Sequence, residues 1–149
     1  MLDLIKQYGA IILATYGAAL STYNFYDGRR KNRRSVKVTL ETAMFTFHGG
    51  GITAPYIKIT AVNIGNRPVT ITNVGLRLPD GRHLALLQRA VPDDMESGLP
   101  ATLHDGAQAF RFYKADDAEA TARNAGATKM IAYAMDSTGK THLGDSWTL

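Results

Sequence analysis

"PYIKITAVNIGNRPVTITNVGLRL", residues 55–78, decides the fold of this chain. Ile57, Ile59 and Ala61 recur every second residue against polar or smaller neighbours, the period of a half-buried strand. After the Gly65–Pro68 punctuation the alternation returns with Val69 and Ile71. It slips phase at Asn73 and resumes with Leu76 and Leu78.

The same period extends in both directions. Upstream, "SVKVTLETAMFTF" (35–47) sets Val36, Val38 and Leu40 against Lys37, Thr39 and Glu41, then shifts phase near Ala43–Met44, the mark of a bulge or a strand break, ahead of a glycine turn at 49–51. Downstream, Pro79-Asp80-Gly81 is a turn whose glycine tolerates positive φ. "RHLALLQ" (82–88) reads as a short strand and 91–107 as a polar loop closing at Asp105-Gly106. "QAFRFYK" (108–114) is a further strand. "ADDAEATARNAG" (115–126) is helical, with Asp116 placed to cap it, Glu119 three residues on and Gly126 suited to the exit. Residues 127–136 and 140–149 form a hairpin across Ser137-Thr138-Gly139. About seven strands, one short helix and no βαβ alternation predict a mainly β fold, an immunoglobulin-like antiparallel β-sandwich.

With 149 residues the chain has room for one domain and an appendage. It holds no cysteine, which removes disulfides, thiol catalysis and cysteine-based zinc sites. The net charge of +4 is unevenly spread. Residues 1–34 hold six Lys or Arg against two Asp, and the remainder holds eleven of each sign. A nucleic-acid-binding domain carries a basic face of its own, so this balance argues against nucleic acid as a partner.

The front of the chain reads as a membrane anchor. Gln7 to Tyr26 contains no charge, and twenty helical residues span about 30 Å, the thickness of a bilayer's hydrocarbon core. Tyr8 flanks one end, and Tyr23, Phe25 and Tyr26 the other. Arg29, Arg30, Lys31, Arg33 and Arg34 follow at once. Cations after a spanning helix mark the cytoplasmic side, so the expected arrangement is single-pass in the inner membrane, amino terminus outside. A cleaved signal would carry its charge before the apolar run, the reverse of the order here. The divisions expected are 1–27 for the anchor, 28–35 for a basic juxtamembrane linker and 36–149 for the sandwich. Beyond orienting the helix, the cations could bind anionic lipid at about 1 kcal/mol each, or an acidic partner. Ala10, Ala14 and Ala18, with Gly17 and Ser21 beside them, offer a small-residue groove for a second helix, including one from another copy in a homo-oligomer. The alternative is a helix packed inside a protein assembly, since Ala, Gly and Thr dilute its apolarity.

"AVNIGNRPVTITNVGLRLPDGR", "LPATLHDGAQAF" and the closing "AYAMDSTGKTHLGDSW" carry a further signal. Together they resemble a class of small, functionally uncharacterised bacterial proteins with one amino-terminal transmembrane helix, a basic stretch and an immunoglobulin-like sandwich. In that class an N-x-G-x-x-P-V segment links two strands and a D-x-x-G hairpin comes last. The similarity covers most of residues 20–147 and implies a fold, with no activity to carry across. Antibody-type hallmarks are missing, since there is no cysteine pair and Trp147 lies near the carboxyl end.

No catalytic pattern emerges. His48, His83, His104 and His142 lack metal-ligand spacing. The acids Asp93, Asp94, Glu96, Asp116, Asp117, Glu119, Asp136 and Asp145 form no calcium loop. Nucleophile-elbow, phosphate-loop and dinucleotide motifs are all missing, and "GDSW" (144–147) sits too near the chain end to serve a protease fold. The expectation is a non-enzyme without cofactor or metal. It would recognise protein partners through the helix and through the loop 90–100, where Met95 and Leu99 stand among acids. The alternative is a structural subunit of a soluble or virion-like assembly, with the front helix buried between copies.

Overall fold

The two strands of the 55–78 segment lie side by side in sequence but in different sheets. A computed structural model describes residues 2–31, 34–46, 49–84 and 90–149. Its strands are Val36–Ala43 (β1), Tyr56–Asn63 (β2), Val69–Arg77 (β3), Ala101–Leu103 (β4), Gln108–Lys114 (β5), Lys129–Asp136 (β6) and Thr141–Thr148 (β7). They form a three-stranded sheet in the order β1-β2-β5 and a four-stranded sheet in the order β4-β3-β6-β7. Every pairing is antiparallel. The helices are Leu2–Lys31 (α1) and Ala115–Asn124 (α2). The chain divides into two compact units, Met1–Arg33 and Arg34–Leu149.

The period-two pattern explains the core. Val38, Ile57, Ile59, Ala61 and Ala109 from one sheet meet Val69, Ile71, Val74, Leu76, Leu103, Met130, Ala132 and Ala134 from the other in one buried cluster. The fold is mainly β and sandwich-like. The expected slip in β3 is present: the register with β6 shifts between Ile71 and Asn73, so the buried set passes from Val69 and Ile71 to Val74 and Leu76. The turns at Gly81, Gly106 and Gly139 fall where the sequence put them, each with positive φ.

Three local expectations are corrected. The expected loop 91–107 contains β4, which pairs with β3 through Val69↔Leu103, Thr70↔Thr102 and Ile71↔Ala101. Of the strand expected at 82–88, His83 makes one bridge to Arg77, and the Leu84 N–H donates to the Leu76 carbonyl at 2.9 Å. Residues 85–89 lie outside the described residues. Asp116 does not cap α2. The helix starts straight out of β5 with Lys114 at the cap position and no side-chain cap, which puts Asp116 and Asp117 in its first turn, where the helix dipole favours them. The exit behaves as expected. Gly126 takes φ +77°, its N–H donates to Arg123 O, and the Ala127 N–H donates to Ala122 O, the paired bonds of a Schellman stop.

Candidate functional site

Two regions carry the residues singled out by the sequence, and each is built differently.

Among the described side chains of α1, the large apolar ones are outside. Tyr8, Ile11, Ile12, Leu13, Tyr16, Leu20, Tyr23, Phe25 and Tyr26 are all exposed. Phe25 and Tyr26 pack edge to face with centroids 6.4 Å apart, and the Arg29 guanidinium lies 4.7 Å from the centre of the Phe25 ring. α1 runs on past Tyr26 and Arg29, so the first cations of the basic run stand on the helix itself. Ala14, Gly17, Ala18 and Ser21 are exposed, and a methyl group at Gly17 would meet nothing within 4 Å. The side chains of Ala10, Arg30 and Lys31, and residue Arg33, lie outside the described set; Arg34 is exposed. Among the described residues no helix is long and apolar enough to cross a membrane by mean hydropathy. The residues that dilute α1 include Thr15 and Thr22, whose hydroxyls donate to Ile11 O and Ala18 O at 2.8 Å. A hydroxyl bonded to the carbonyl four residues back presents less unsatisfied polarity than its residue type suggests.

In the sandwich Glu96, Glu119, Asp136 and Asp145 are occupied in holding the fold. Glu96 accepts from the Phe112 N–H at 2.9 Å, and Ser97 both accepts from Phe110 N–H through its hydroxyl and donates its own N–H to Phe110 O. The loop 90–100 therefore covers the outer edge of β5, which would otherwise present unpaired strand groups. Within it Met95 is exposed, whereas Leu99 packs against the core. Glu119 accepts from the Trp147 indole at 3.1 Å and from Arg123 at 3.0 Å. Asp145 reaches the Leu40 N–H on β1 at 3.3 Å. A register shift in the β6–β7 pairing between Ile131 and Tyr133 puts an extra β7 residue there and carries Gly144 and Asp145 toward β1.

Asn63 is the most heavily used of these groups. Fully buried at the end of β2, its amide donates to Arg67 O at 2.8 Å and Leu103 O at 3.0 Å, and its oxygen accepts from the Gly65 N–H. Its own carbonyl accepts from the Gly106 N–H. The side chain thus ties the 64–68 crossing to β4, and the N-x-G-x-x-P-V segment is a structural lock.

Asp136 and His142 form a buried pair that sequence reasoning missed. The Asp136 carboxylate lies 3.0 Å from His142 Nε2 and accepts from the Thr138 N–H, the Thr138 hydroxyl and the Lys140 N–H. Burial pushes its pKa up, but the Thr138 hydroxyl, His142 and the two backbone N–H groups outweigh burial and hold it at about 2, below the ordinary 3.8. The Thr138 hydroxyl bonds the carboxylate rather than the imidazole, and among the described residues no hydrogen bond from a hydroxyl to His142 supplies the nucleophile–base contact of a triad. It fixes a turn. Tyr113 is likewise structural: burial, only partly opposed by Arg111, raises its phenol to about 12, and its hydroxyl donates to Val74 O at 2.8 Å.

His83 packs against Tyr133 with ring centres 4.4 Å apart, and His104 is exposed in a turn. His48 and the Asp93 side chain lie outside the described residues. Among the described residues no group of three or more His, Asp or Glu could hold a metal ion. No family model matches the chain, and no curated protein matches it significantly.

Proposed function

We propose that this protein is a single-pass, membrane-anchored interaction module without catalytic activity. In this reading α1 crosses the inner membrane and an immunoglobulin-like sandwich faces the cytoplasm, where it and the helix contact protein partners. The observation that carries the reading is α1: a helix of 30 residues whose uncharged stretch exposes Ile11, Ile12, Leu13 and Leu20, then passes through interfacial aromatics into cations. The internally bonded Thr15 and Thr22 offset part of its shortfall in mean hydropathy. The commitment of Glu96, Glu119, Asp136 and Asp145 to structural donors supports a role outside catalysis.

The immunoglobulin-like reading is supported by the strand order. β1, β2 and β5 share one sheet and β3, β6 and β7 the other, the division found in constant-type domains. The difference is β4, which lies beside β3 instead of β5.

A second reading is favoured by that shortfall itself: α1 buried between protein copies in a soluble or virion-like assembly. Membrane fractionation with carbonate and detergent washes, followed by protease treatment of spheroplasts, separates the two. Release by detergent alone with the sandwich protected supports the anchor. A soluble particle of high mass without lipid supports the assembly.

A further inference from the structure

The core-facing side of β5 carries Ala109, Arg111 and Tyr113, in register with Ala61, Ile59 and Ile57 of β2, all three of which are fully buried. A cation therefore stands where the sheet's alternation calls for an apolar residue. Its Nε is sealed from solvent and has no hydrogen-bond partner, and among the described residues no acid pairs with the guanidinium. Asp136, the buried charge of the other sheet, is by contrast met by Thr138, Lys140 and His142. Tyrosine hydroxyls converge near Arg111. β3 pairs with β4 only as far as Ile71, and Leu84 reaches β3 again at Leu76. Between these points that edge of β3 has no neighbouring strand among the described residues. Tyr113 turns its hydroxyl to this edge and donates to Val74 O at 2.8 Å. Tyr133 comes across β3 over Gly75, where an added Cβ would stand 3.0 Å from its ring, and its hydroxyl accepts from Asn73 Nδ2 at 3.1 Å. Burial raises both phenols and Arg111 opposes it in both, so each keeps its proton at neutral pH. The Tyr113 proton is committed to Val74 O, and among the described residues nothing accepts the proton of Tyr133.

We infer that Arg111 and Tyr133 together bind a carboxylate, the guanidinium fork taking its two oxygens and the Tyr133 O–H adding a further bond. The two side chains bring a surplus of donors and no acceptor, and a buried charge without a counter-charge is costly. An oxyanion supplies what is missing, and the planar fork of arginine matches a carboxylate in geometry as well as charge. Arg111 as a whole is half-buried, which leaves the guanidinium within reach of solvent. Asn73 is a positioning residue, fixing the Tyr133 hydroxyl from the side away from its proton. Arg77 also has a buried, unbonded Nε, but its guanidinium extends to the turn at Gly81, with Nη2 3.7 Å from the place of an added Cβ. The site lies wholly within the sandwich unit and does not depend on where α1 resides. Its carboxylate belongs either to a free small acid or to an acidic side chain of a partner protein.

The test is a thermal melt of the full-length protein in detergent, titrated with sodium acetate against sodium chloride at matched ionic strength. A capped glycine–glutamate–glycine peptide and its glutamine counterpart are titrated in parallel. The expected result is a saturable rise of the melt with acetate and none with chloride, with half-saturation of the order of millimolar for so small a ligand. Tyr133→Phe keeps the ring over Gly75 and should weaken acetate about fivefold, the value of one hydrogen bond. Arg111→Met should abolish the response, and in chloride it should melt no lower than the unsubstituted protein, because the uncompensated charge leaves with the side chain. No rise with acetate or with the glutamate peptide overturns the site. So does a rise that survives in Arg111→Met, which would be a general salt effect. Arg111→Met melting well below the unsubstituted protein in chloride also overturns it, since the guanidinium would then be satisfied within the fold. Both remaining outcomes support the site and tell its ligands apart. Glutamate peptide binding about tenfold tighter than acetate, and lost with glutamine, assigns the carboxylate to a partner's side chain. Equal binding of the two assigns it to a free small acid.

Discussion

The same side chain has two fates in this protein. Ile57, Ile59 and Ile71 in the sandwich are 0 % exposed, whereas Ile11 and Ile12 in α1 are 57 % and 68 % exposed. Burying an isoleucine contributes about 1.5–3 kcal/mol relative to leaving it in water. The sandwich collects that stabilisation from its own chain, because period-two alternation turns one face of each strand toward the other sheet. In α1 the apolar residues leave no such record, and their burial is a question of what surrounds the helix. One region is explained by its own contacts; the other keeps its described apolar side chains exposed.

The comparison breaks hardest at Asn63. Replacing it with Ala strands Arg67 O, Leu103 O and the Gly65 N–H in a buried place, where each unsatisfied group costs about 1–3 kcal/mol. Some relaxation is expected, so Asn63→Ala should destabilise the domain by about 3–5 kcal/mol in a denaturant melt followed by Trp147 fluorescence. A loss below 1 kcal/mol (of the order of one ordinary hydrogen bond) would mean that the crossing is held by something other than this amide.

Gly144 comes next. A Cβ there would lie 2.7 Å from Val38 Cβ and 2.8 Å from the Val38 carbonyl carbon, closer than van der Waals contact, and the obstacle is partly backbone. Gly144→Ala must push β7 away from β1 and loosen the Asp145–Leu40 bond, at a cost of about 2–3 kcal/mol. Gly17→Ala in α1 is the matched control. It meets no atom within 4 Å and replaces Gly by the best helix former, so it should leave the sandwich's melt unchanged.

What the sequence disclosed follows the same division. Local alternation placed β2, β3, β5 and the last hairpin, and even the phase slip at Asn73, because each needs only neighbours in the chain. β4 escaped because three residues after a proline carry no period. Asp116 has the residue type of a cap, but a cap needs a pause in the chain, and α2 follows β5 without one. The count of about seven strands was reached partly by compensation, since β4 entered where 82–88 had been expected. The polar locks were hidden for a different reason. Glu96 meets Phe112 sixteen residues on and Asp145 meets Leu40 across 105, and neither separation has a local signature. The Asp136–His142 pair is only six residues apart, but it runs diagonally across the last hairpin, where no spacing motif marks it.

That pair offers a pH test. The folded Asp136 pKa is depressed to about 2 from 3.8, so its contribution is complete above the unfolded value and disappears as pH falls from about 4 through about 2. Asp136→Asn should cost about 2 kcal/mol at neutral pH, the scale of hydrogen bonds to a charged group. Its stability should also fall less steeply than that of the unsubstituted protein across this acid window. Parallel acid profiles for the two proteins would show that the carboxylate's charge is not what locks the turn.

The smallest expected effect on the sandwich is the sharpest test of the contrast. Leu13 is 75 % exposed in α1, so Leu13→Asp removes no packing there. Exposed substitutions of this kind fall within about 0.5 kcal/mol, and the thermal melt of the sandwich should be unchanged. A charge at the middle of a spanning helix, by contrast, costs about 2.5–3.5 kcal/mol on insertion scales, a large burden for a helix already short of apolarity. If the proposed anchor reading holds, the variant should move from the detergent-extracted fraction to the carbonate-released one while its sandwich melts as before. If it instead stays with the membrane at full strength, lipid is not what covers Leu13. If the melt falls with it, the two regions are not independent, and the division between a self-sufficient core and an apolar helix covered from outside would have to be redrawn.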